Sequence, residues 1–320
     1  MESKQMISLD WRTLLKKHGS IVILVVICLI ASIIVPNFAN LSNFILIVRQ
    51  SAIPIIACIG MTIVLMTGGI DLSVGYTIGL TSISVGLMIT SLSLPYWLAI
   101  ILTLGIGMLV GFINGFCVQL IRVPAFITTL GMGYLTLGFS QIVSNGLSIH
   151  RLPPDFLAIG RTPIGNFNST VLITIFVCIV FYYLLHRSTY GRQLSAFGLS
   201  EPTSRMSGVP ISFINLSVYV INGFLAGIVG ILLTIDVNSA QPTLGGGGYT
   251  FSVITAALLG GASLYGGVGS VIGAVFGTLI LRVIQNCINL MNAPFYLSDA
   301  IVGIIILFAI IFENIKNRKL

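Results

Sequence analysis

Ten apolar runs of near-membrane length follow one another along the 320-residue chain, with few charges between them. Continuous runs of this length predict membrane-spanning helices, whereas the strands of a membrane β-barrel alternate apolar and polar residues. Charged residues make up 7% of the chain, against roughly 25% in soluble domains. The sequence therefore predicts an all-α polytopic membrane protein with one transmembrane domain, residues 21–314. The predicted spans are 21–35, 51–67, 72–90, 97–120, 125–143, 170–185, 211–235, 249–267, 269–290 and 299–312.

The few basic residues predict the orientation of these spans. Ten spans that start with a cytoplasmic N-terminus, residues 1–20, also place the C-terminal tail, residues 315–320, in the cytoplasm. Eleven of the fifteen Lys and Arg residues then lie on the cytoplasmic side, as the positive-inside rule requires. The net charge of +7 is therefore interpreted as membrane topology, not as a surface for nucleic acid. The first run is interpreted as a signal-anchor, with a cleaved signal peptide as the alternative.

The distribution of lysines excludes one kind of nucleotide site. A Walker A loop needs a lysine after its second glycine, and no lysine occurs between residues 17 and 316. If ATP drives this protein, the nucleotide is bound by another chain. The sequence also predicts no catalytic residues, no metal site and no cofactor, because the cysteines lie singly in apolar runs and the histidines are scattered. These residues are Cys28, Cys58, Cys117, Cys178 and Cys287, and His18, His150 and His186.

A glycine-rich break with one carboxylate separates the second and third runs. Residues 66–75 read Met-Thr-Gly-Gly-Ile-Asp-Leu-Ser-Val-Gly. A charge at the centre of a membrane helix costs roughly 2.5–3.5 kcal/mol, so Asp71 needs a setting that holds it. Either the helix is broken at membrane depth, inside protein or beside a wet cavity, or Asp71 caps the next helix in a short cytoplasmic turn. The pattern Gly-Gly-x-x-Leu-x-x-Gly occurs in this break, at residues 68–75, and again at residues 260–267. Because the chain has 35 glycines, such a match arises easily by chance.

Two further sets of residues within spans are candidates for helix packing or for the translocation pathway. Glycines at four-residue spacing place a small-residue stripe on each of two helices, so that a neighbouring backbone can approach closely. Asn114 lies beside the first stripe and is predicted to form an interhelical hydrogen bond or to line a pore. The stripes are Gly107, Gly111 and Gly115 in the fourth span, and Gly269, Gly273 and Gly277 in the ninth.

The ninth span also carries a polar stripe that begins at Arg282. Gln285, Asn286 and Asn289 follow Arg282 at spacings of three, four and seven residues, which lie on one side of a helix. We expect this stripe to face the bundle interior or a pathway between two subunits. An intramembrane arginine normally finds a partner, and the predicted partner is a carboxylate, Asp71 or Asp299, or backbone carbonyls.

Several motifs, in order along the chain, resemble the permease subunits of ribose-type sugar ABC importers, binding-protein-dependent transport family 2. The resemblance implies a fold similar to type II ABC importers, with about ten spans and broken or re-entrant glycine-rich segments. It also implies a bacterial inner-membrane location, a homodimer, cytoplasmic ATPases that bind ATP and Mg, and an extracellular or periplasmic sugar-binding protein. The motifs are residues 67–75, 114–115, 124–131, 240–243 and 258–267.

The same resemblance implies an ATPase-docking helix within the cytoplasmic loop 186–210. The family pattern is similar to Gly-Gly-Asn-x-x-Ala-Ala-x-x-Ser-Gly, and residues 198–208 of this chain read Gly-Leu-Ser-Glu-Pro-Thr-Ser-Arg-Met-Ser-Gly. The docking residues are expected to be Gly198, Glu201, Arg205, Ser207 and Gly208. The departures, which favour a dedicated ATPase partner, are Leu199, Ser200, Pro202 and Thr203. A plain solvated loop is the alternative.

The predicted function is therefore that of the translocation-pathway subunit of an ATP-driven, binding-protein-dependent importer of a monosaccharide-like solute. An importer of autoinducer-2 is the alternative within the same class. A self-sufficient secondary carrier or channel is a second class, which the scarcity of intramembrane carboxylates disfavours. Dependence on a separate ATPase distinguishes the two classes.

Overall fold

The structure, a computed structural model, describes residues 11–294 and 296–317. In that part of the chain thirteen helices and one short hairpin follow one another. The helices are α1 (Trp11–Ile34), α2 (Leu41–Leu65), α3 (Val74–Thr90), α4 (Tyr96–Gln119), α5 (Ala125–Ser144), α6 (Pro154–Arg161), α7 (Ser169–His186), α8 (Thr189–Leu199), α9 (Glu201–Met206), α10 (Ile211–Val237), α11 (Gly246–Leu259), α12 (Val271–Leu290) and α13 (Tyr296–Asn317). The antiparallel strands β1 (Pro163–Ile164) and β2 (Phe167–Asn168) form the hairpin.

The all-α polytopic membrane fold is confirmed. Helices α2, α4, α5, α7, α10 and α12 are long and apolar enough to cross a membrane. Four shorter apolar helical stretches, 19–34, 74–90, 246–259 and 296–308, fall in the other four predicted runs. Residues 1–10 of the predicted N-terminal segment and residues 318–320 of the tail lie outside the described residues.

The structure differs from the predicted spans in three places. The second span was predicted to start at residue 51, but residues 41–50 are the first turns of α2. The start of α2 is capped by the Asn40 side chain, which accepts from the Ser42 amide at 3.1 Å. The connection between the predicted spans 125–143 and 170–185 contains α6 and the hairpin. Helix α6 starts at Pro154, whose fixed φ suits a first helical turn. The eighth span stops at Leu259, so residues 260–267 form a loop.

Helix α10 lies at the centre of the bundle, between α2, α3 and α4. The glycine stripe of α4 makes this packing close, as predicted. A Cβ atom at Gly111 would overlap the carbonyl oxygen of Tyr219, and one at Gly107 would overlap that of Gly223. The stripe of α12 acts in the same way against α11, because a Cβ at Gly273 would overlap the carbonyl oxygen of Gly260. Both stripes therefore face protein.

Helix α11 starts inside the bundle. The segment before it runs along α3: the Gln241 amide donates to Ser82 Oγ at 3.1 Å, and a Cβ atom at Gly79 would overlap the Pro242 carbonyl oxygen. At the first turn of α3, the Gly75 amide donates to Thr250 Oγ1 at 3.0 Å. The 14 residues of α11 extend over about 21 Å, less than the roughly 30 Å of a bilayer core. This is the discontinuous segment that the glycine pattern predicts.

Candidate functional site

Three separate stretches of backbone meet at one glycine-rich contact, which we call the glycine junction: residues 66–68, 198–199 and 266–267. The Gly267 amide donates to the Met66 carbonyl at 2.9 Å. A Cβ atom added to Gly198 would overlap that same carbonyl and the Gly267 amide nitrogen. Gly68, Gly266 and Gly267 have φ values of 75°, 89° and 79°, which favour glycine. The junction thus joins both glycine-rich breaks to the end of α8.

The predicted docking segment leads directly away from the glycine junction. Ser200 caps α9, with its hydroxyl accepting from the Thr203 amide at 3.4 Å. Glu201 and Arg205 form an ion pair of 2.8 Å on the exposed surface of α9. Met206 is 91% exposed, the highest value among the large apolar side chains that the structure describes as exposed.

The remaining predicted docking residues end this short helix. Ser207 Oγ donates to the Thr203 carbonyl at 3.0 Å. Gly208 has a φ of 77°, and its amide donates to the Arg205 carbonyl at 3.1 Å. The segment therefore presents one charged pair and one apolar side chain outwards, on a helix fixed at both ends.

A buried polar group, which we call the Asp71 cluster, holds the carboxylate of the first break. It consists of Asp71, Ser73, Asn114, Tyr219 and Asn222. Oδ1 of Asp71 accepts from the Ser73 amide at 2.9 Å and from Ser73 Oγ at 2.6 Å. Oδ2 accepts from the Asn222 amide at 2.8 Å, and Asn114 donates to Ser73 Oγ at 2.9 Å. Asp71 is 2% exposed, so it lies in the protein interior and not in an exposed turn.

No cation neutralises Asp71 within the described residues, where the pair Arg205–Glu201 is the one ion pair. Three buried atoms of the cluster also have no hydrogen-bond partner among the described residues: Asn114 Oδ1, Asn222 Oδ1 and Tyr219 Oη. The sequence predicted Asp71 and Asn114 as candidate site residues but did not predict Tyr219 or Asn222. The available signal for Asn222 was an amide side chain near the middle of the predicted span 211–235.

The polar residues of α12 face two different environments. Asn286 is buried and exchanges two hydrogen bonds with Asn43 of α2, at 3.0 and 2.8 Å. Arg282 and Gln285 instead line a cavity of about 330 Å³, and Asn289 is exposed. Successive helical residues are about 100° apart, so Gln285 and Asn286 cannot face the same neighbour. The expected single stripe is therefore divided.

The predicted partner of Arg282, a carboxylate or backbone carbonyls, is not the one that the structure shows. Arg282 Nη1 donates to the side-chain oxygen of Gln285 at 2.9 Å, a partner that was not considered. The carboxylate of Asp71 accepts hydrogen bonds from Ser73 and Asn222 instead. Asp299 lines the same cavity as Arg282, but the two form no ion pair in the described part of the chain.

Comparisons with known proteins identify the family of this chain. A family profile described as the permease component of the branched-chain amino acid transport system matches residues 43–310. The chain belongs to this permease family. Three relatives match nearly the whole permease. The ribose import permease protein RbsC of Escherichia coli K12 is 34% identical over 309 residues, which cover 95% of each chain.

The other two relatives are more distant. The L-arabinose transport system permease protein AraH of Escherichia coli K12 is 32% identical over 305 residues, covering 94% of this chain and 92% of its own. The autoinducer 2 import system permease protein LsrC of Yersinia pestis is 30% identical over 294 residues, covering 88% and 83%. No solved structure matches the permease. The permease is a multi-pass membrane transport component of the ribose-type importer class.

Proposed function

We propose that this permease forms the translocation pathway of an ATP-driven importer of a ribose-type monosaccharide. A separate cytoplasmic ATPase, which binds ATP and Mg, docks on α9, and a binding protein delivers the solute from outside. Two copies of the permease form the pathway in a bacterial inner membrane, with both termini in the cytoplasm. The permease itself binds no nucleotide and has no enzymatic activity.

The glycine junction is the observation that carries this proposal. A movement imposed on α9 reaches residues 66–68 and 266–267 through backbone contacts at Gly198. Backbone in direct contact transmits displacement with little loss, because no flexible side chain lies between. A self-sufficient carrier has no need for an exposed helix connected in this way to both breaks of its membrane domain.

The relatives support the choice of solute. Their names refer to ribose, L-arabinose and autoinducer 2, and the ribose permease has the highest identity of the three. Import of autoinducer 2 is the second candidate, because the relative of that name still covers 88% of this chain. Uptake of labelled ribose in competition with unlabelled autoinducer 2 separates the two.

Site-directed cross-linking tests the docking role. A Met206→Cys variant, in a background without native cysteines, is expected to cross-link to cysteines on the ATPase surface. The matched control is Leu147→Cys. Leu147 is 69% exposed, but it follows α5 and lies on the extracellular side in the predicted topology. Ribose uptake into proteoliposomes should also stop when the ATPase carries an inactivating substitution. Cross-linking from Leu147 alone, or ribose uptake without ATP hydrolysis, would overturn the proposal.

A further inference from the structure

The cavity beside Arg282, which we call the α11–α12 cavity, has an unusual distribution of polar groups. Its volume of about 330 Å³ lies within the roughly 300–1,000 Å³ of small-molecule sites. The polar side chains in its wall come from three helices: α11 contributes Tyr249 and Ser252, α12 contributes Thr278, Arg282 and Gln285, and α13 contributes Asp299. Residues Pro54, Val253, Ala256 and Leu281 supply an apolar part of the wall.

The groups in this wall include both donors and acceptors that are available to a solute. Arg282 uses one N–H on the side-chain oxygen of Gln285, which leaves the Gln285 amide group to donate. Asp299 is exposed and forms no ion pair among the described residues, so its carboxylate can accept. Tyr249 Oη is a buried atom without a hydrogen-bond partner in the described part of the chain.

The cavity also lies at the point where the backbone enters the bundle. Gly245 and Gly248, at the start of α11, form part of its wall. Because α11 begins beside the first turn of α3, this end of the wall is packed against the helix bundle, whereas Asp299 on α13 is exposed. A solute that moves along α11 from the exposed side meets these side chains.

We propose that the α11–α12 cavity is a contact site for a neutral solute with adjacent hydroxyl groups. Arg282 and the Gln285 amide donate to hydroxyl oxygens, and Asp299 accepts from hydroxyl protons. A hydroxyl group donates and accepts at once, so a diol matches a wall that offers a fixed donor pair and a separate carboxylate. The apolar wall contacts the carbon atoms of the ring. This inference rests on the proposed import of a monosaccharide and assigns that solute a site.

Uptake of labelled D-ribose by the reconstituted importer, with its ATPase and binding protein, tests this assignment. Gln285→Ala and Asp299→Asn are each expected to slow uptake roughly tenfold. Gln285→Ala removes a donor and the partner of Arg282, and Asp299→Asn replaces a charged acceptor with a neutral one, whose hydrogen bonds are weaker. ATP hydrolysis stimulated by the ribose-loaded binding protein should stay near that of the wild type. The matched controls are Asn289→Ala, on the same helix but outside the cavity, and Asp155→Asn on α6.

A chemical-protection measurement excludes a purely structural role. In a background without native cysteines, Ser252→Cys should react with a charged thiosulfonate reagent, and ribose supplied with the binding protein and ATP should slow that reaction. Asn289→Cys should react at the same rate with and without ribose. If the wild type imports ribose, the cavity variants transport normally and ribose gives no protection, the proposed site is wrong but the proposed function stands. Failure of the wild type to import ribose overturns the proposed function, and protection by L-leucine but not by ribose overturns the choice of a hydroxylated solute.

Discussion

The two glycine-rich breaks have the same sequence pattern but are held in different ways. In the first break, residues 66–75, side chains do the holding: Asp71, Ser73 and Thr129 bind the backbone or one another. In the second, residues 260–267, three glycines with positive φ form most of the turn, with values of 89°, 89° and 79° at Gly261, Gly266 and Gly267. One side chain adds to it, because Ser263 Oγ accepts from the Tyr265 amide at 3.1 Å. A buried charge needs dedicated hydrogen bonds, and the second break contains no charge.

The matching glycines of the two breaks also have different tasks. Gly75 lies in α3, where a Cβ would overlap the Gly246 carbonyl oxygen, so it permits close packing. Its counterpart Gly267 has positive φ and forms the glycine junction. Conversely, Gly68 has positive φ, whereas its counterpart Gly260 ends α11 with an ordinary φ of −70° and packs on α12. The shared pattern is therefore not a structural repeat.

The largest effect is expected where the two breaks meet. Gly198→Ala places a methyl group into the Met66 carbonyl and the Gly267 amide, and backbone atoms cannot move aside as a flexible side chain can. Overpacking of this kind costs roughly 1–3 kcal/mol. We expect ribose uptake in proteoliposomes to be lost while the protein still reaches the membrane.

The control for this variant is Gly131→Ala, because Gly131 is helical with no neighbouring atom within 4 Å of an added Cβ. It should transport normally. Normal uptake by Gly198→Ala would show that the breaks move independently of the docking segment.

The largest effect on stability, as distinct from uptake, is expected from the Asp71 cluster, whose carboxylate belongs to the first break alone. Asp71→Leu leaves the Ser73 and Asn222 donors without an acceptor, at roughly 1–3 kcal/mol for each buried group. Asp71→Asn keeps one oxygen for Ser73, and a flipped Asn222 amide can offer its unpartnered oxygen to the new amide. Thermal unfolding in detergent should therefore show a large loss for Leu and a small loss for Asn. Equal losses would mean that the charge itself, and not the hydrogen bonding, stabilises the break.

The sequence was sufficient to predict the helical membrane fold, because apolar runs depend on local composition. It was also sufficient for the helix at 201–206 and for the glycine stripes, whose spacing is fixed by helix geometry. It was insufficient where contacts join distant residues. The Asn43–Asn286 pair links positions 243 residues apart, and the meeting of Gly198 with both breaks depends on tertiary packing.

Arg282 illustrates the same limit for the candidate site. Its depth in the span was predicted, but its partner depended on which neighbour α12 turns towards. The choice between Gln285, three residues away, and a carboxylate on another helix is made by the rotation of α12 against α2 and α11. That rotation is fixed by the packing of Gly273 on α11 and by the hydrogen bonds of Asn286 to α2. The sequence around Arg282 does not specify these contacts.

The smallest effect is expected from one pair of glycines that the two breaks use alike. Gly68 and Gly261 both have positive φ, 75° and 89°, and neither has a neighbouring atom within 3.4 Å of an added Cβ. Alanine at either position therefore costs only the intrinsic penalty of left-handed backbone, about 1–2 kcal/mol. Because this penalty does not depend on the surroundings, Gly68→Ala and Gly261→Ala should lower the unfolding midpoint by similar amounts and leave uptake measurable. A much larger loss for Gly68→Ala would mean that the first break also depends on a precise backbone position at Gly68. The contrast between a break held mainly by side chains and one held mainly by backbone conformation would then be wrong.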